Sequence, residues 1–169
     1  MSWDALGAIS QLVGAAVVVV TLVYLSIQVR QNTAALRSTA TQGAHDQTAA
    51  LYDLLSSDPE LAEVFARGLM SPDALDQSET ARFFALSMGF MFRYQNWYLQ
   101  TRSNLIDREL LDSWAKVLGQ LSATPGYQQF WKQRRHVFAP EFVKYLERKV
   151  FSSQLDPTYR PLGISPKAL

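Results

Sequence analysis

An uncharged apolar segment lies near the start of the chain, where positions 5–29, twenty-five residues, contain no charged side chain. A helix of about 20 apolar residues is long enough to cross the ~30 Å hydrocarbon core of a bilayer. The pattern therefore predicts a transmembrane helix over residues 1–30. Trp3 and Tyr24 are 21 positions apart, or about 31 Å at a rise of ~1.5 Å per residue, so these two rings and Arg30 are predicted to mark the membrane interfaces.

Two alternatives to a spanning helix are weaker. A valine-rich core strand of a soluble protein would be shorter, since strands usually run about 4–8 residues. A cleaved signal peptide would begin with basic residues, whereas this segment begins with Asp4.

The flanking charges predict the orientation. Arg30 and Arg37 follow the segment, so the positive-inside rule places the N-terminus outside and the rest of the chain in the cytoplasm.

Small and polar residues recur along one face of this helix at alternating steps of four and three, the seam spacing of left-handed helix packing. Because lipid offers no hydrogen bonds, we expect the polar members to find partners on other chains, which predicts a homo-oligomer. A water-filled pore lined by the same residues is the alternative. It is disfavoured because no ionisable side chain lies in the span. This polar stripe, the predicted oligomer interface or pore lining, consists of Ser10, Gly14, Val17, Thr21, Tyr24, Gln28 and Gln31.

The rest of the chain carries helix start and stop signals and no strand alternation. The segment Ser57-Asp58-Pro59-Glu60 predicts an N-cap and a short helix that Gly68 and Pro72 end. Asp76 and Glu79 predict a capping box for an aromatic-rich, central buried helix. Asn104 is predicted to cap the helix after it. The predicted helices run over Leu61–Leu69, Thr80–Thr101, Leu105–Leu121, from Pro125 to about His136, and from Pro140 to about Phe151.

These elements predict an all-α protein with four parts. The transmembrane helix, residues 1–30, continues as a helical stalk over 31–55, and a cytoplasmic helical bundle follows over 56–151. An extended tail with three prolines occupies 152–169. Because such a tail cannot bury a face of its own, we expect it to dock in an external groove, for instance on a neighbouring subunit. Its apolar anchors would be Phe151, Leu155, Tyr159, Leu162 and Ile164.

The segment Tyr24–Arg37, with the sequence YLSIQVRQNTAALR, resembles a signature of a family of uncharacterised bacterial single-pass membrane proteins. In that family an apolar N-terminal helix runs into a Gln-x-Arg-Gln-Asn-Thr segment that precedes a helical domain. The resemblance is specific over residues 5–40 and general beyond them. It implies a bacterial inner-membrane protein and brings no activity with it.

Few residues suggest chemistry. The chain has no cysteine, which excludes disulfides, thiolate metal sites and a cysteine nucleophile. His45 and His136 are the only histidines, and neither has the spacing that places two metal ligands on one helix face. The glycines are scattered singly, so no phosphate-binding loop is predicted. We therefore predict no catalytic, cofactor or metal-binding residue, and the formal net charge of +1 argues against a nucleic-acid binder.

Lys132, Arg134 and Arg135 lie among aromatic residues and are candidate contacts for anionic lipid headgroups. An ordinary helix with buried aromatics and solvated cations is the simpler interpretation.

Three function classes remain open. The first is a membrane-anchored assembly, scaffold or accessory subunit, which needs only the anchor and a helical interaction domain and could belong to a larger membrane complex. The second is an oligomeric channel, and the third is a membrane-bound enzyme of unrecognised type.

Overall fold

A computed structural model of the chain describes residues 3–151, apart from the side chains of residues 5, 6 and 8. These residues form six α-helices, two short 3-10 segments, Pro72–Ala74 and Arg135–Val137, and a closing π-helical segment, Leu146–Val150. No strand occurs among them, so the all-α prediction is confirmed. The helices are α1 (Trp3–Ser57), α2 (Pro59–Met70), α3 (Gln77–Arg102), α4 (Arg108–Ser122), α5 (Pro125–Arg134) and α6 (Pro140–Tyr145).

The chain divides into two compact units, Met1–Thr39 and Ala40–Leu169. The first is described over residues 3–39 and consists of the N-terminal part of α1. The second is described over residues 40–151 and contains the rest of α1 and the other helices. The predicted extended tail, residues 152–169, lies outside the described residues, together with four of its five proposed anchors.

The boundary between the units divides the predicted stalk, residues 31–55. Ala44, Leu51 and Leu55 are each 5% exposed and belong to the hydrophobic core of the second unit. Their spacing of seven and four places them on one face of α1, the face that an amphipathic helix buries. Residues 40–57 are therefore a core helix of the helical unit, which begins about sixteen residues before the predicted start at residue 56.

Two helix starts follow from local side-chain chemistry. The N-cap of α2 is Asp58, whose carboxylate accepts a hydrogen bond from the backbone N–H of Leu61 at 3.0 Å. The predicted capping box of α3 is confirmed. Asp76 accepts from the N–H of Glu79 at 2.8 Å, and the Glu79 carboxylate accepts from the N–H of Asp76 at 2.9 Å. Each bond satisfies an N–H group that the first turn of a helix leaves without a partner.

The prediction that Asn104 caps α4 is wrong. Asn104 has a φ of 55°, and it follows the end of α3. Its N–H bonds the carbonyl of Thr101 at 3.0 Å, while the N–H of Leu105 bonds that of Gln100 at 2.9 Å. This is the Schellman arrangement, in which asparagine tolerates the left-handed position almost as glycine does. α4 begins three residues later than predicted, at Arg108, with Asp107 as its N-cap.

Gly68 was predicted to end α2, yet it lies buried within that helix, which runs on to Met70. Its missing side chain leaves room for the Phe83 ring of α3, because a Cβ on Gly68 would lie 2.5 Å from a carbon of that ring. The close approach of α2 and α5 depends instead on Gly126. A Cβ atom on Gly126 of α5 would lie 1.8 Å from the carbonyl oxygen of Gly68. Only a residue without a side chain permits the two backbones to approach so closely at this crossing.

α3 is the central helix of the second unit, as predicted. It packs against α2, α4 and α5, and Phe83, Met91 and Tyr94 are among its buried residues. Its opposite side is exposed at Phe92 and Leu99. The aromatic ring pairs form two groups, one that includes Phe83 and Phe130 and one that includes Tyr94 and Phe142. Their centroid separations are 4.8–6.4 Å, the range in which tilted and edge-to-face ring pairs are favourable.

Candidate functional site

α1 is the one helix among the described residues that is long and apolar enough to cross a membrane. Its most apolar window has a mean hydropathy of 2.3, and none of that window is buried within the chain. Every side chain described between residues 3 and 39 is exposed, including Trp3 at 88% and Tyr24 at 61%. The core helix of a soluble domain would be mostly buried, so the exposure favours a partner outside the chain, either lipid or another helix.

The polar stripe satisfies part of its own hydrogen bonding. The Thr21 hydroxyl donates to the carbonyl of Val17 at 2.8 Å, and the Gln28 side-chain amide donates to the Tyr24 hydroxyl at 2.9 Å. Both bonds join residues four apart, which a helix places on the same face. The stripe therefore requires fewer hydrogen bonds from other chains than the sequence suggested. Gly14 lies on the same face, and a Cβ there would meet no atom of this chain within 4 Å.

A groove of about 420 Å³ lies between the end of α4, one face of α5 and the end of the closing π-helical segment. Among residues 3–151 its lining combines cationic, amide, hydroxyl and aromatic side chains and contains no carboxylate. We call it the basic groove, and its lining residues are Ser122, Tyr127, Gln128, Trp131, Lys132, Arg135 and Phe151.

One carboxylate close to the basic groove fixes two of its residues. Glu147 accepts a hydrogen bond from the indole Nε1 of Trp131 at 3.3 Å, and the same oxygen pairs with Arg135 at 3.0 Å. The Phe151 ring packs edge-on against Trp131, with centroids 5.0 Å apart. Trp131 is therefore held on two sides. Lys132 is exposed and forms no ion pair with any residue that the structure describes.

Two hydroxyl groups of the groove differ in their bonding. Ser122 donates to the carbonyl of Gly119 at 2.8 Å. Tyr127 is fully buried, and within residues 3–151 its hydroxyl has no hydrogen-bond partner. Burial raises the pKa of Tyr127 above its usual value, because the low-polarity surroundings disfavour the phenolate. The hydroxyl therefore stays protonated at neutral pH, and it is enclosed by the unit with almost no accessible surface.

The structure brings together two of the three predicted headgroup contacts. Lys132 and Arg135 line the basic groove, whereas the guanidinium of Arg134 lies over the ring of Phe84, 5.5 Å from its centroid. The sequence could have predicted that Arg134 lies apart from Lys132 and Arg135, since residues three apart share a helix face and residues two apart do not. Sequence reasoning missed Ser122, Gln128, Glu147 and Phe151. Three of them lie on other elements, so no local pattern joins them to α5.

A second depression, of about 320 Å³, lies beside Arg102 and Arg108. Arg102 lies over the ring of Tyr98 at 5.9 Å, and Arg108 is 3.8 Å from Asp112, so both cations have partners within the unit. Below them the hydroxyls of Tyr94 and Tyr145 are 3.1 Å apart. Burial, followed by this hydrogen bond, raises the pKa of Tyr94. The depression holds no unpartnered cation comparable to Lys132.

The two histidines lie apart and exposed, His45 on α1 and His136 in the 3-10 segment after α5. Across residues 3–151 no group of three or more histidine, aspartate or glutamate side chains is arranged to hold a metal ion.

Comparison with known proteins found no relative. No family model matches the chain, no curated protein matches it, and no solved structure matches it.

Proposed function

We propose that the protein is a membrane-anchored, homo-oligomeric accessory or scaffold subunit of the bacterial inner membrane. The observation that carries this proposal is the exposed, uncharged apolar part of α1, joined in the chain to a helical unit with its own core. Val17 to Val20 alone are 57–68% exposed. Apolar surface costs about 25 cal/mol per Å² in water, so a surface of this extent requires lipid or a partner helix.

The orientation that we propose has the N-terminus outside and the helical unit in the cytoplasm. Its support is the charge asymmetry of the flanks, where Asp4 precedes the apolar segment and Arg30 and Arg37 follow it. The resemblance over Tyr24–Arg37 supports a bacterial inner membrane. Residues 125–151 of the helical unit, which include Lys132, carry a net positive charge, and this is the sign expected on the cytoplasmic side.

Homo-oligomerisation is proposed through the polar stripe. Close approach at Gly14 would bring two helices into contact, and the amide oxygen and second N–H of Gln28 are groups that lipid cannot satisfy. The helical unit would then offer the same surfaces in several copies, as a scaffold requires.

Topology is tested with single cysteines, because the chain has none of its own. Asp4 and Lys144 are both exposed within the chain. In intact spheroplasts a membrane-impermeant maleimide should label the Asp4→Cys variant. The Lys144→Cys variant should react only after the membrane is permeabilised. Labelling of Lys144→Cys in intact cells would overturn the orientation, and recovery of the protein in the soluble fraction would overturn the anchor.

Assembly is tested with Gly14→Leu, and Ala15→Leu serves as the matched control one residue away and off the stripe. Gly14→Leu should reduce crosslinked oligomer severalfold in the bilayer, because the larger side chain separates the helices. Ala15→Leu should leave the oligomer unchanged. Equal oligomer yields in both variants would show that the stripe is not the interface.

A further inference from the structure

We propose that the first part of the tail, residues 152–156, runs along the basic groove of its own helical unit, with the Asp156 carboxylate paired to Lys132. The sequence predicts that the tail docks in a groove but does not identify the groove. This contact needs neither a membrane nor a second chain, so it goes beyond the proposed function and does not rest on it.

The described residues end at the wall of the basic groove. Phe151, the last of them, lines the groove, and its ring centroid lies 5.0 Å from that of Trp131. Lys132 is the next residue along α5. Because residue 152 is bonded to Phe151, the tail begins at this groove.

The first acidic residue of the tail is within reach of Lys132. Asp156 is five residues beyond Phe151, and five residues span at most about 17 Å when extended. Pro157 follows Asp156, and the residue before a proline favours an extended conformation over a helical one. An extended segment of this length can therefore bring the carboxylate to the ammonium group.

The charges of the groove and of the segment are complementary. Among residues 3–151 the groove is lined by two cations, Lys132 and Arg135, and by no carboxylate. Glu147 already pairs with Arg135 at 3.0 Å, whereas Lys132 is exposed and has no ion pair among the described residues. Residues 152–159 contain one acidic residue and no basic residue. The segment that starts at the groove thus supplies the charge that Lys132 lacks.

Covalent attachment selects this segment over a free anion. An exposed ion pair is worth little by itself, so Lys132 would hold a separate molecule only weakly. A segment tethered at Phe151 meets the groove at an effective concentration in the millimolar range, about that of a short flexible linker. The exposed amide of Gln128 also lines the groove, and it can bond the backbone of an extended peptide.

The test uses pairs of engineered cysteines in the full chain in detergent, because the chain has no cysteine of its own. The groove pair combines Gln128→Cys with Gln154→Cys. The matched control pair combines Arg148→Cys with Gln154→Cys. Arg148 is exposed, lies outside the groove lining and is closer to position 154 along the chain.

A tail that did not dock would react fastest with the cysteine nearest to it along the chain, since closing a longer loop is harder. A docked tail reverses this order. Under mild oxidation the groove pair should form its disulfide about tenfold faster than the control pair, because docking raises the local concentration at position 128. Electrophoresis without reductant separates closed monomers from disulfide-linked dimers, and peptide mass spectrometry identifies the linked positions.

The ion pair is tested in the background of the groove pair. Asp156→Asn should slow disulfide formation about two- to fivefold, the loss expected for an exposed ion pair. Salt at about 0.5 M should slow the parent pair and leave the Asp156→Asn variant unchanged. Exchange of the two charges, Lys132→Asp together with Asp156→Lys, should restore the rate.

Each of three results would overturn a part of the proposal. Equal rates in the two cysteine pairs, or a faster control pair, would overturn docking in the basic groove. Equal rates with and without the Asp156 carboxylate would overturn its pairing with Lys132. Disulfide-linked dimers in place of closed monomers would show that the groove receives the tail of a neighbouring subunit. None of these readings depends on the membrane orientation or on the polar stripe, so failure of the proposed function remains distinguishable.

Discussion

Replacement of Gly126 by alanine should destabilise the helical unit strongly, because the crossing of α2 and α5 leaves no room for a methyl group. The added Cβ would lie 1.8 Å from the carbonyl oxygen and 2.8 Å from the carbonyl carbon of Gly68, and 3.2 Å from the Cα of Leu69. These are backbone atoms, which cannot rotate away as a side chain can. The helices must therefore separate by about 1 Å or more, and overpacking of this kind costs about 3 kcal/mol, the upper end of its usual range.

Gly43→Ala is the matched control, since a Cβ on Gly43 meets no atom within 4 Å. There the substitution should stabilise α1 by about 0.5–1 kcal/mol through helix propensity alone. Thermal melts of the full chain in detergent, followed by near-ultraviolet circular dichroism, should give Gly126→Ala a melting temperature about 12 °C below that of the wild type, at about 4 °C per kcal/mol. Equal melting temperatures for the two variants would refute the close crossing.

Two further predictions concern the helical unit. Leu51→Ala should lower the free energy of unfolding, measured by chemical denaturation, by about 2–5 kcal/mol. Leu54→Ala should lower it much less, because Leu51 is 5% exposed and Leu54 is 45% exposed. Equal losses in the two variants would place residues 40–57 outside the core. Since burial raises the pKa of Tyr94 in the folded state, the stability that its protonated form contributes is present below about pH 10 and is lost as the pH rises further. Alkaline denaturation should therefore be shallower in Tyr94→Phe than in the wild type, and identical pH profiles would contradict this account.

The helix starts were predictable because their signals are local. Asp58 and Asp76 are followed within three residues by the groups that they bond, so the sequence pattern alone identifies them. Asn104 was misassigned because asparagine suits both an N-cap and a left-handed C-terminal position, and only the path of the chain decides between them. Gly68 was misassigned for a related reason. A glycine that ends a helix and a glycine that makes room for a side chain of another helix cannot be told apart from the sequence before that second helix is placed.

The basic groove was only half predictable, because three elements contribute to it. Lys132 and Arg135 are three residues apart where α5 runs into the following 3-10 segment, and their common side follows from helical spacing. Glu147 and Phe151 reach Trp131 from the end of the chain's last described helical segment, twelve or more residues beyond Arg135. Contacts of this separation depend on how the helices pack. The carboxylate that restrains Arg135 and leaves Lys132 as the open cation could therefore be found only from the structure.

The hydrogen bonds within the polar stripe change the expected source of stability in the proposed oligomer. If Thr21 donates to Val17 and Gln28 donates to Tyr24 within one helix, association gains little from these donors, because the separated helix already satisfies them. Hydrogen bonds between spanning helices are in any case worth only about 0.6 kcal/mol on average. The larger contribution must then come from close packing, which depends on the small side of the stripe at Gly14. In the proposed oligomer the polar stripe would therefore supply the face that associates, and Gly14 would supply the contact on which the association depends.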